Sequence, residues 1–151
     1  MQPVLVLAVC VALALPSLVH GKRQVVKVAG SLRCGNKGLA GADITLYDKD
    51  RFGLDDNIGE TTSASNGRFL LEGAGSEYTG DIEPYLVISH DCNLGKLQVC
   101  NREVKFTIPD KYLNGGIMDI GELNLEMEPL KEKTDCFRRK AHKHHHRKHR
   151  S

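Results

Sequence analysis

The chain has no tryptophan, and aromatic residues make up only 5% of its 151 positions. Any core must therefore be assembled from branched aliphatic side chains rather than from a few large rings. No segment shows sustained helical periodicity, which excludes a helical bundle. Cys-x-x-Cys pairs and glycine-rich phosphate loops are absent, so neither the common zinc nor the common nucleotide motifs are present. The longest apolar run, Val4 to Leu15, has twelve residues, whereas crossing a bilayer takes ~20. That run precedes Pro16 and the small-residue spacing Val19, Gly21, and no charge occurs before Lys22. It reads as a signal peptide over residues 1–21, removed before Lys22, with no transmembrane segment and a secreted, extracellular product.

Charge is unevenly distributed. None of the 19 acidic residues lies beyond Asp135, while seven of the 21 basic residues lie between Phe137 and Ser151. The body therefore has 14 − 19 = −5, and the tail +7. Residues 22–136 are long enough for one domain, and 137–151 form an extension to be considered separately.

Within the domain the pattern is that of short strands. Val26, Val28, Gly30 and Leu32 alternate with Lys27, Ser31 and Arg33, and Gly35 to Gly38 supplies a turn before a second alternation at Ile44 and Leu46. The acidic stretch Asp48 to Asp56 lacks the D-x-D-x-D-G calcium spacing and reads as a solvated loop. Thr61 and Thr62 suit a short strand, Asn66-Gly67 is a hairpin signal leading to Phe69 and Leu71, and Gly73 to Gly80 reads as a loop or one helical turn. Pro84 to His90 is the most apolar run and reads as a central strand buried on both faces. Val104, Phe106 and Ile108 alternate again, and Ile120 to Met127 reads as the last strand, with Leu123, Leu125 and Met127 inward. Seven or eight short strands predict an all-β sandwich with immunoglobulin-like or prealbumin-like architecture.

Four cysteines remain after the signal peptide, enough for two disulfides with three possible pairings. The short spacing and the turn residues Asn93 and Gly95 favour Cys92–Cys100, which leaves Cys34–Cys136 to clamp the first strand to the end of the domain.

These pieces together resemble the nematode transthyretin-like protein family. The matching segments are VAGSLRCG ending at Gly35, ADITLYD ending at Asp48, NGRF from Asn66, PYLVISHDC from Pro84, CNR from Cys100, IPDKY from Ile108 and DIGELNL from Asp119. The resemblance runs from about Val25 to Cys136 and implies a transthyretin-like β-sandwich. It leaves function open, because transthyretin relatives include carriers of hydrophobic hormones and hydrolases of hydroxyisourate. The hydrolase branch uses a first-strand histidine and a terminal Tyr-Arg-Gly-Ser, whereas Val25 to Arg33 contains no histidine and the chain ends in His149-Arg150-Ser151. His90 is the only histidine between Lys22 and Cys136. It reads as a structural hydrogen-bonding group near a disulfide rather than a general base.

The tail has no apolar side chain larger than alanine after Phe137 and is expected to be disordered. Arg138, Arg139, Lys140, Lys143, Arg147, Lys148 and Arg150 suit an anionic glycan or membrane surface. His142, His144, His145, His146 and His149 offer weak metal binding, opposed by the interleaved cations. Nucleic acid is not expected, since the tail has no stacking platform. The sequence thus predicts a non-enzymatic binding or adaptor protein without a cofactor, engaging an extracellular lipid, a small hydrophobic ligand or a protein. A hydrolase of the hydroxyisourate type is the alternative.

Overall fold

The structure, a computed structural model, describes residues 21–51, 53–94 and 101–127, together with the backbone of residues 132–135. Among these the strands are β1 (Lys22–Cys34), β2 (Lys37–Gly38), β3 (Asp43–Asp48), β4 (Asp56–Thr62), β5 (Arg68–Glu77), β6 (Pro84–His90), β7 (Asn101–Thr107), β8 (Ile117–Asn124) and β9 (Glu132–Asp135). One 3-10 turn covers Asp110–Tyr112. β1 is the centre of one sheet, antiparallel to β5 and to the short β2 and parallel to β8. The other sheet runs β4-β3-β6-β7-β9, antiparallel throughout. The expected all-β sandwich is thus present, with nine strands among the described residues.

The period-2 alternation explains the layering. Val26, Val28 and Leu32 of β1 point inward and meet Ile44 and Leu46 of β3, Leu86 and Ile88 of β6, and Phe69 and Leu71 of β5. Fully burying each aliphatic side chain contributes about 1.5–3 kcal/mol, so this layer replaces the missing tryptophan by number. Glycine permits close approach where the two sheets meet: a Cβ on Gly73 would lie 2.7 Å from the Ile58 carbonyl of β4.

Several expectations are corrected. Asn66-Gly67 does form a turn, with Gly67 at φ 82°, but β4 and β5 belong to different sheets, so the turn carries the chain across the sandwich instead of closing a hairpin ladder. Residues 73–77 are not a loop: they continue β5, paired to Lys22 through Val26 of β1. β6 is central, yet only one of its faces is dry, with Pro84, Leu86, Ile88 and His90 buried and Tyr85, Val87 and Ser89 half-exposed. The segment read as the last strand forms β8, but Met127 lies beyond it and is 63% exposed. Leu125 is inward as expected, its N–H donating to the Arg33 carbonyl at 2.8 Å. β9 was not anticipated, because Glu132 to Asp135 has no apolar alternation.

Candidate functional site

A disulfide joins Cys34 to Cys92, with Cα atoms 5.7 Å apart. This overturns both expected bridges, since Cys92–Cys100 and Cys34–Cys136 each require one of these two cysteines. The reason is tertiary. Cys34 ends β1 in one sheet, Cys92 follows β6 in the other, and both pack against the core. Proximity across the sandwich wins over proximity in sequence, and closing this 58-residue separation contributes about 4 kcal/mol in the chain-entropy model, more than the short Cys92–Cys100 loop would. Cys100 and Cys136 lie outside the described residues, as do His142, His144, His145, His146 and His149 and the basic residues Arg138 to Arg150.

His90 sits at the inward end of β6, only 3% exposed, and its Nδ1 accepts the Cys92 N–H at 3.2 Å. This is the structural role expected for it, holding the turn that presents Cys92 to Cys34. A side chain so buried beside a disulfide is poorly placed to take a proton from a substrate.

The concentration of chemical groups that the sequence reading missed lies on the outer face of the five-stranded sheet. Tyr47 of β3 and Tyr85 of β6 are register partners, and their rings stack with centroids 5.4 Å apart and planes 22° from parallel. The Tyr85 hydroxyl donates to the Asp55 carboxylate, which also accepts the Asp50 N–H at 3.2 Å. Above the Tyr85 ring stands the Lys105 ammonium of β7, 3.3 Å from the centroid, a cation–π contact. Burial, then the adjoining Asp55 carboxylate, push the Tyr85 phenol well above its ordinary range. The hydrogen bond from Tyr85 holds the Asp55 carboxyl below its own. The phenol therefore stays protonated as a donor and the carboxylate stays charged. The signal was legible in part: Tyr47 and Tyr85 occupy the polar phase of strands whose opposite phase is Leu46 and Leu86.

At the same end of the sandwich a second polar cluster is structural. Asp48, 4% exposed, accepts the Glu83 N–H at 2.9 Å. Gln24, 1% exposed, accepts the Ile82 N–H at 2.9 Å and donates to Asp81 at 2.9 Å. These bonds fasten the β5–β6 connection to β1 and β3. Glu83 also faces Lys49 at 3.9 Å and Arg51 at 3.7 Å, both exposed contacts worth little. Among the described residues no group of three or more histidine, cysteine, aspartate or glutamate side chains is arranged to hold a metal ion.

The fold and this face define an all-β sandwich of the transthyretin type, stapled between its sheets by a disulfide and carrying an aromatic platform on one outer face. The profile of the transthyretin-like family matches residues 29–109, and the chain belongs to that family. Transthyretin-like protein 33 of Caenorhabditis elegans is 41% identical over 122 residues, covering 77% of this chain and 84% of the relative. Transthyretin-like proteins 5 and 16 of the same organism are 35% and 34% identical, covering 88% and 86% of this chain and 98% and 97% of theirs. Among solved structures, a 9R-lipoxygenase from Cyanothece PCC8801 superposes with a TM-score of 0.45 at 19% identity, covering 70% of this chain and 17% of that one, a likeness too distant to bear on function.

Proposed function

We propose that this protein is a secreted, non-enzymatic binding or adaptor module. The carrying observation is the Tyr47–Tyr85 platform, held rigid by Asp55 and carrying Lys105 on an outer sheet face. Stacked rings with a fixed orientation and an adjacent cation provide contact area at low entropic cost, which suits recognition better than turnover. A lipid, a small hydrophobic ligand or a protein segment would find apolar ring surface and one charge of each sign there. Secretion is supported by the apolar leader, by the disulfide and by the start of β1 at Lys22, the residue after the expected cleavage position. The tail serves as a polycation for anionic glycans or membranes.

The test is a lipid and glycan array probed with the full chain and with Tyr47→Ala and Lys105→Ala variants. At least one class of ligand should bind the parent and lose about tenfold in affinity in both variants, the loss of one anchoring aromatic contact. If every ligand that binds is bound equally by all three chains, the face is ruled out as the contact surface. The hydrolase alternative has its own measurement. Hydroxyisourate turnover above the buffer rate that vanishes in His90→Ala would make the protein an enzyme, whereas no turnover is expected.

A further inference from the structure

The charge on the two outer faces is unequal. On the four-stranded sheet Lys27 pairs with Glu72 at 3.0 Å and Arg33 with Glu122 at 2.9 Å, so opposite charges neutralise one another. On the five-stranded sheet the outward row contains Glu60 opposite Thr45, and Asp43 and Glu103 on either side of Ser89, with Asp55 at the Tyr85 hydroxyl; Lys105 and Lys133, the latter opposite Glu103, are the cations among them, so carboxylates outnumber ammonium groups. Lys105 already caps the Tyr85 ring, so a basic segment would be held here chiefly by the carboxylates that border the two tyrosines.

We propose that this face is a docking surface for a basic peptide segment, and that its occupant in solution is the chain's own segment 137–151. Charge is the first ground, because that segment carries seven Lys and Arg and no acid. Position is the second. β9 is the outermost strand of this same sheet, and its last residue, Asp135, is opposite Asn101 of β7. Tyr85 is opposite Thr107, six residues along β7 and one strand further in. At ~3.3 Å per residue and ~4.8 Å per strand, the platform lies ~22 Å from Asp135. The 15 residues after Cys136 extend to ~50 Å, so the segment reaches across the face with length to spare. Tethering supplies an effective concentration in the mM range, enough to sum several individually weak contacts. This rests on the reading of the tail as a polycation and adds a consequence to it: an anionic surface competes with this face for the tail.

The experiment uses the full chain as an equal mixture of unlabelled and nitrogen-15-labelled protein, joined by a zero-length carboxyl–amine cross-linker and mapped by mass spectrometry. Links from Lys140, Lys143 or Lys148 to Glu60 or Glu103 should dominate. They should fall within single chains and disappear in about 0.5 M salt, where screening shortens to a few Å. The double variant Glu60→Gln with Glu103→Gln should lose them and bind heparin about fivefold more tightly, the lower range for coupling between two sites. The control pair Glu72→Gln with Glu122→Gln should change neither. Links spread evenly over Glu60, Glu72, Glu103 and Glu122, or formed only between labelled and unlabelled chains, would overturn the docking. Should no variant bind heparin, the polycation reading fails on its own, and the cross-link map still decides the docking.

Discussion

Asp48 ends β3 almost wholly buried, and desolvation raises its pKa above the usual carboxylate value, opposed by the Glu83 N–H and reinforced by Asp50, Asp56 and Glu83. A carboxyl that is easier to protonate folded than unfolded favours the folded state in acid. It withdraws that support as pH rises through its folded pKa. Asn at this position keeps an oxygen for the Glu83 N–H and removes the buried charge. Urea unfolding of Asp48→Asn should therefore show its best stability relative to the parent at pH 7 and a shrinking advantage towards acid. A variant that is most disadvantaged at pH 7 would mean that the charge itself is required. Gly67 presents a different residue-scale constraint, since its φ of 82° disfavours side chains and an added Cβ would collide with the Leu32 carbonyl. Gly67→Ala is expected to cost about 2 kcal/mol or more in the same assay.

At the scale of elements, the disulfide decides how the sheets are held. Removing it by Cys34→Ala with Cys92→Ala should cost about 2–4 kcal/mol and leave the strand order intact, because the aliphatic layer between β1, β3 and β6 does not depend on it. The antiparallel register adds a second expectation. Asn101 is opposite Asp135, so the residues one step outward in sequence are Cys100 and Cys136. A non-reduced digest should contain a Cys34–Cys92 peptide and a Cys100–Cys136 peptide. Recovery of Cys100 or Cys136 as a free thiol would show that the register does not continue to them.

For the whole molecule the decisive property is the separation of a −5 body from a +7 tail. A body of that sign is repelled by anionic surfaces, so attraction must come from residues 137–151, whose exposed charges act within a Debye length of ~8 Å. Five tail histidines with unperturbed pKa near ~6.5 add charge on acidification, spread over a broad range by mutual repulsion. Binding to heparin or anionic vesicles should strengthen by about tenfold between about pH 7.5 and 5.5 and weaken with salt. Truncation after Phe137 keeps all nine strands of the described residues and should abolish that binding. Equal binding by the truncated chain would reduce the tail to a solubilising extension.

How much could be read from the sequence follows from what each signal encodes. Alternation placed Val26, Val28, Leu32, Ile44 and Leu46 in the core, because in a strand the side-chain period alone assigns a face. The segments that match the transthyretin-like family were equally visible, being local in sequence. Partners distant in the chain were not. Cys34 meets Cys92 because β1 and β6 end near one another on opposite sheets, and the turn at Asn66-Gly67 crosses between layers instead of closing a hairpin. Tyr85 was misassigned to a doubly buried strand because an apolar run does not report which of its faces a second layer covers. The amino-acid sequence thus determined the class of fold, the composition of its core and the division of charge, all properties of residues and their immediate neighbours. Tertiary structure alone decided the disulfide, the stacking of Tyr47 on Tyr85 and the acidic face beside them, since each arises from register and layer packing between segments far apart in the chain.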